Sequence, residues 1–173
     1  MMSPLSATEK GVCFHVLVHQ GKQDLEKALK STLPSLSKIP GARIIVTRDQ
    51  DRGDCKVVKQ TLTELVGNRC DAPILYRVVC RELECWFLGD LSAIEKAFPR
   101  FNAARYAGKK EYRDVDKIMN ADQVILDMIP QYKGRQYLPK LETASKISPH
   151  LSIDGNISTS FRHFVSGIKK MLT

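Results

Sequence analysis

The residues best equipped for chemistry are acids that follow apolar runs. "VTRDQDRGDCK", residues 46–56, places Asp49, Asp51 and Asp54 directly after Ala42-Arg43-Ile44-Ile45-Val46. A second apolar run, Ile74 to Cys80, leads into Arg81-Glu82-Leu83-Glu84. Carboxylate oxygens are hard donors that suit Mg2+ or Mn2+ rather than zinc. Mg2+ commonly takes one or two protein carboxylates and leaves the rest of its shell to water and phosphate oxygens. The expected metal ligands are Asp49, Asp51 and Glu82, with Glu84 as a further acid. Basic residues stand close by: Arg48, Lys56 and Lys59 near the first group, Arg81 beside the second, and Lys22 after a third run that ends in His19-Gln20-Gly21. Such cations neutralise phosphate and the charge that develops on it during transfer. Arg81 with Asp49, Asp51 and Glu82 forms the expected catalytic set. Arg48, Lys56, Lys59 and Lys22 are the expected nucleic-acid contacts.

Plainer readings compete at each position. Asp51, Gly53 and Asp54 also suit a turn followed by a helix N-cap, with Asp54 capping a helix that starts at Cys55. Lys56 and Lys59 suit a solvated helix face. Glu82 and Glu84 cannot share one face of a helix at this spacing. Glu82 is expected to point inward and Glu84 to be a solvated first-turn acid that complements the helix dipole. A calcium EF-hand fits poorly, because the glycine comes one place early and Gln60 stands where the bidentate glutamate belongs. Trp86 suits a core better than a base-stacking platform. His150 has no carboxylate partner visible in the sequence and suits a structural role.

Three runs of β-branched and aromatic residues must position these groups: Val12 to Val18, Ala42 to Thr47 and Ile74 to Cys80. Helical patterns separate them. Asp24 to Leu36 carries Leu25, Ala28, Leu29 and Leu33; Asp54 to Val66 carries Val57, Val58, Leu62 and Leu65. A third helix should open near Arg81 and bury Leu83, Trp86, Phe87 and Leu91. Strands alternating with helices imply an α/β fold with a small, mostly parallel sheet and flanking helices. Ligands of such sheets bind beyond the carboxyl ends of the strands. All three runs end in polar residues, so Asp49, Asp51, Glu82 and Glu84 should meet at one edge. Residues 1–98 form this α/β core. Residues 99–173 form a basic, mostly helical part packed on it, with helices over Ala121–Ile129 and Ser160–Met171 and a loop at "QYKGRQYLPK".

The chain has 173 residues, with 27 Lys and Arg against 19 Asp and Glu and a net charge of +8. A basic surface favours polyanions and makes their binding sensitive to salt. No apolar stretch approaches membrane-span length, and the N-terminus "MMSPLSATEKG" has no apolar segment of the kind that marks secretion. The five cysteines form no Cys-x-x-Cys pair and suit reduced thiols in a cytoplasmic protein. No glycine-rich phosphate loop follows a strand, which disfavours a small-molecule or nucleotide binder.

The blocks "HQGKQDLEKAL", "VTRDQDRGDCKVVKQ", "VVCRELECWFLGDLSAIEKAF" and "SPHL" followed by "SFRHF" resemble an uncharacterised bacterial family known only as a domain of unknown function. The resemblance runs from about Val12 to the end of the chain. That family is similar to diverged Toprim (topoisomerase–primase) domains. The resemblance implies a Toprim-like Rossmannoid fold and Mg2+ or Mn2+ used for phosphodiester cleavage or joining. Asp49 and Asp51 match the Toprim Asp-x-Asp, and Glu82 or Glu84 would supply a further acid. Some Toprim relatives are nucleases that work beside ATPases in phage defence, which implies an ATPase partner. The family opens with a further strand that carries an acidic pair well before "HQGK". This chain has only 18 residues before His19, and Glu9 lies in no strand-like context. The ligand set is therefore expected to be incomplete, which leaves a non-catalytic subunit docked on an ATPase as the alternative to a nuclease.

Overall fold

A computed structural model describes residues 13–173. Its centre is one βαβ unit. Strand β1, Ile44–Asp49, and strand β2, Ile74–Val79, pair in parallel, in register from Ile44 opposite Ile74 to Asp49 opposite Val79. Helix α3, Cys55–Val66, joins them. It starts where Asp54 accepts hydrogen bonds from the backbone N–H groups of Lys56 at 2.8 Å and Val57 at 3.2 Å. Such a cap contributes about 1 kcal/mol. The helix ends at Gly67, whose φ of +50° few other residues adopt without strain.

Side chains alternate along a strand, so each face of this sheet needs its own cover. One face buries Val46 and Tyr76 against Val58, Leu62 and Val66 of α3. Leu29 and Leu33, from the preceding helical segment, complete that layer. The segment is not the single helix that its apolar spacing implies. It is α1, Lys22–Ser31, followed by a short α2, Leu33–Leu36. Pro34 explains the break, since its ring lacks an N–H and clashes with the carbonyl a turn earlier. The final helix, Thr159–Leu172, covers the other face of β2 and packs Phe161 against Val79 and Trp86. It begins where the Ser158 hydroxyl accepts from Phe161 N–H.

Between β2 and that final helix lie α4, Glu84–Leu88; α5, Leu91–Ala97; α6, Ala121–Met128; and α7, Lys140–Ile147. The final helix is therefore α8. Short 3-10 turns connect these elements. The largest core lies here, around Phe87, Leu88, Ile94, Ile125, Ile129 and Ile147. It draws residues from both sides of position 98. The fold is α/β, a two-stranded parallel sheet flanked by helices with a helical C-terminal part.

Several expectations need correction. The run Val12 to Val18 makes no strand: Val12 lies outside the described residues, and residues 13–18 join no ladder. Val16, Leu17 and Val18 are 50–57% exposed. High β-propensity states only that a run suits a pleated surface; a ladder also needs a neighbour. Helix α4 opens at Glu84 rather than Arg81, which leaves Leu83 exposed before it. Val57 is also exposed, because Val58, Leu62 and Val66 take the inward face of α3. Trp86 is buried, as expected. Among the described residues no helix is long and apolar enough to cross a membrane. All five cysteines are free thiols.

Candidate functional site

The carboxyl ends of β1 and β2 lie at one edge, and Gln50 ties them together. Its N–H donates to Val79 O at 2.8 Å, its Nε2 to Gly53 O at 2.7 Å, and its Oε1 accepts from Arg81 N–H at 3.2 Å. Gly53 N–H closes the turn on Gln50 O. Both Asp51, φ +54°, and Arg81, φ +59°, sit in the left-handed region. Aspartate visits that region readily; for arginine the cost is about 1 kcal/mol. Four side-chain and backbone bonds through one glutamine offset that cost. Nothing in the sequence marks Gln50 for this role.

Asp49 ends β1 in the wall of a shallow groove of about 400 Å³, beside Thr47, Val79, Leu83, Trp86 and Phe164. Its tip reaches solvent, yet enough protein surrounds it to disfavour the charge. Burial, with the negative charges of Glu84, Asp51 and Glu82, pushes its carboxyl up to about 6, against the pull of Lys140. The expected acids therefore do influence one another at this edge.

Two of them are already engaged. Glu84 is buried at 4% exposure, contrary to the expectation of a solvated first-turn acid. Its Oε1 lies 3.3 Å from Lys140 Nζ, which also stands 3.5 Å from Asp122 Oδ2. Burial lowers the affinity of Lys140 for its proton, but Glu84, Asp122 and Glu82 outweigh this and raise it overall. Glu82, half-buried, accepts from Asp122 N–H at 3.3 Å in the first turn of α6. Lys140 and Asp122 belong to distant helices, and no local pattern announces them.

The basic residues are less convergent. Arg48 follows the alternation of β1 and points to the face opposite Asp49, where its Nη1 lies 3.5 Å from Glu26. That alternation is readable in the sequence and could have separated the two. Lys22 also approaches Glu26, at 3.8 Å. Lys56 and Lys59 are exposed on α3, in keeping with a solvated face. Arg81 is half-buried at the edge itself. His150 is exposed in a 3-10 turn.

Among the described residues no three His, Cys, Asp or Glu side chains converge closely enough to chelate an ion by themselves. Asp49 and Asp51 remain as donors, since Glu84 holds Lys140 and Glu82 caps α6. Two carboxylates match the number that Mg2+ usually takes from protein. Lys140 serves as counter-ion to the inner acids. Replacing it with methionine should leave Glu84 buried without its cation. The lysine is about half exposed and water screens the pair, so the expected loss is about 1–2 kcal/mol rather than that of a fully buried pair. Urea denaturation would measure it, and Glu84→Gln combined with Lys140→Met should recover part of the loss.

The rest of the "CRELECWFLGD" block builds the frame. Asp90 accepts from Ala93 N–H at 3.1 Å and from Ser152 N–H at 2.7 Å, which caps α5 and fastens the segment after His150. Trp86 Nε1 donates to Ser160 Oγ at 3.1 Å, and Asn156 Nδ2 donates to Trp86 O at 2.8 Å. Asp116 accepts from the Ser158 hydroxyl and from Ser160 N–H, anchoring the start of α8.

Residues 3–169 match the family DUF4276, described as a domain of unknown function, and the chain belongs to that family. Neither a curated protein nor a solved structure matches it.

Proposed function

We propose that this DUF4276 domain is a Toprim-like metal-binding domain that binds nucleic acid and places a phosphate beside Mg2+ or Mn2+ at the carboxyl edge of its sheet. One observation carries the reading: Asp49 stands at a strand end where burial, and after it the like charges of Glu84, Asp51 and Glu82, push its carboxyl up to about 6. A divalent cation relieves that repulsion. Asp49 and Asp51 hold the ion, and water and phosphate oxygens complete its shell. When bound, the ion supplies the charge that polarises a phosphodiester and acidifies water. Arg81, at the same edge, offsets charge that gathers on the phosphate. Lys140, paired with Glu84, offsets part of the repulsion that Glu84 adds at Asp49. In a defence system such a domain would serve as the nuclease component.

A second reading is a catalytically incomplete subunit that docks on an ATPase. Two features support it: the small number of free ligands among the described residues, and the exposed, largely apolar run Phe14 to Val18.

The experiment is a Mn2+-dependent cleavage and binding assay on single- and double-stranded DNA and RNA, with Asp49→Ala and Asp51→Ala as controls. The isolated chain should bind nucleic acid with a steep loss of affinity as salt rises, because phosphate contacts release counterions. Little or no cleavage is expected without a partner. Robust cleavage that either substitution abolishes would show a complete site. No binding at low salt would favour the docking subunit.

A further inference from the structure

We propose that the loop from Lys133 to Lys140 is a strand-binding platform on which Tyr137 stacks an unpaired base. The inference rests on the reading of the neighbouring edge as a nucleic-acid phosphate site. Tyr137, in the loop before α7, is 82% exposed, and Leu141, in the first turn of that helix, is 85% exposed. Single exposed apolar residues are ordinary. This pair differs in having a backbone fixed from below. Leu138, between them, is buried. Arg135 N–H donates to Tyr132 O at 3.0 Å, and the Arg135 guanidinium lies 5.3 Å from the centre of the Tyr132 ring. Tyr132 is itself buried and its hydroxyl bonds Thr143 at 2.9 Å. The loop thus holds an aromatic ring out in water on a rigid support.

Its charge points to a polyanion. Residues 128–141 contain Lys133, Arg135 and Lys140 and no Asp or Glu; Lys140 is paired with Glu84 and Asp122, and Lys133 and Arg135 are the exposed cations of the loop. Glu142, the next acid, is already held by Lys146 at 2.8 Å. The loop is also continuous with the carboxylate edge. Lys140, the first residue of α7, reaches Glu84 and Asp122, and at most about 11 Å of chain separates its Cα from that of Tyr137. A strand whose base stacks on Tyr137 would have its backbone drawn along Arg135 and Lys133, with neighbouring phosphates near Asp49. Duplex bases hide their faces, so a ring of this kind selects single strands or unpaired ends. Base–aromatic stacking of this sort tolerates any sequence.

The test is fluorescence anisotropy with a labelled oligo(dT) and with a duplex of the same length, across a salt series. Tyr137→Ala should weaken oligo(dT) binding about ten-fold or more. Duplex binding should change little, and Tyr137→Phe should retain the wild-type affinity for oligo(dT). Arg135→Ala should reduce the slope of log affinity against log salt by about 0.7. Tyr137 is exposed, so the melting temperature should not move and misfolding would not account for the loss. Equal oligo(dT) affinity for wild type and Tyr137→Ala overturns the proposal. So does failure of the wild type to bind oligo(dT) at low salt. Parallel Mg2+ melts on wild type and Asp49→Asn separate this outcome from that of the edge site. A metal response that needs Asp49, without a Tyr137 effect, keeps the site and removes the platform. A Tyr137 effect without any metal response keeps a strand-binding platform and removes the metal site.

Discussion

Gly89→Ala should destabilise the protein by roughly 3 kcal/mol or more, the most damaging addition of one methyl group to this frame. The backbone at Gly89, φ −68° and ψ −13°, suits alanine, so the penalty is one of space. A Cβ there would overlap Asn156 Oδ1 and approach Ser158 N at 3.0 Å. Asn156 has nowhere to go. It is 1% exposed, donates to Trp86 O at 2.8 Å and accepts from Ser158 N–H at 2.9 Å. Moving it leaves those buried backbone groups unpaired, at about 1–3 kcal/mol each. Gly167→Ala is the control. Its Cβ would meet Arg77 Nη2 at 2.5 Å and Leu75 Cδ2 at 2.8 Å, which are the ends of flexible side chains. Arg77 can shift, losing its bond to His163 O, for about 1 kcal/mol. Urea midpoints at unchanged slope would compare the two. Equal stability of both variants would show that Asn156 does not lock α4 to the start of α8. Because Trp86 also lines the groove beside Asp49, loss of this lock should disturb the candidate site as well.

The second large effect concerns metal and pH at Asp49. Mg2+ or Mn2+ that binds only the folded state should add about 2.7 kcal/mol at 100 times its dissociation constant. Asp49→Asn should abolish most of that gain. Without metal the same substitution should stabilise the protein at pH 7. The folded carboxyl titrates at about 6 against an ordinary value of 3.8, so the folded state holds its proton more tightly than the unfolded chain does. Stability therefore falls as pH rises from about 4 to about 6 and is lowest, for this group, above that window. The tip of Asp49 reaches solvent, and screening reduces the effect to about 1 kcal/mol. Thermal melts of wild type and Asp49→Asn, with and without metal at pH 4.5 and 7.5, resolve both effects. An equal metal response in the two proteins would place the ion elsewhere. A wild type no less stable at pH 7.5 than at 4.5, relative to Asp49→Asn, would show that burial and the neighbouring acids do not raise the Asp49 carboxyl.

What the sequence determined is local. Dense β-branched runs mark β1 and β2, and Asp54 marks the start of α3 through bonds to residues two and three places on. The stripe Phe161, Phe164 and Val165 marks α8. Two parallel strands joined by α3 bring their carboxyl ends to one edge, so Asp49 and the acids after β2 were legible as neighbours. Period and capping act over a few residues, and a single chain displays them openly.

What only the tertiary structure decided depends on partners far along the chain. The run Phe14 to Val18 has the composition of a strand but no neighbour among the described residues to pair with. Glu84 is buried because Lys140 arrives from α7, and Glu82 is engaged because α6 presents Asp122 N–H. Gly89 is required because Asn156 occupies the space where a side chain would be. A buried charge is tolerated only beside its counter-ion, and a strand exists only beside another strand. Neither condition is written at the position that needs it.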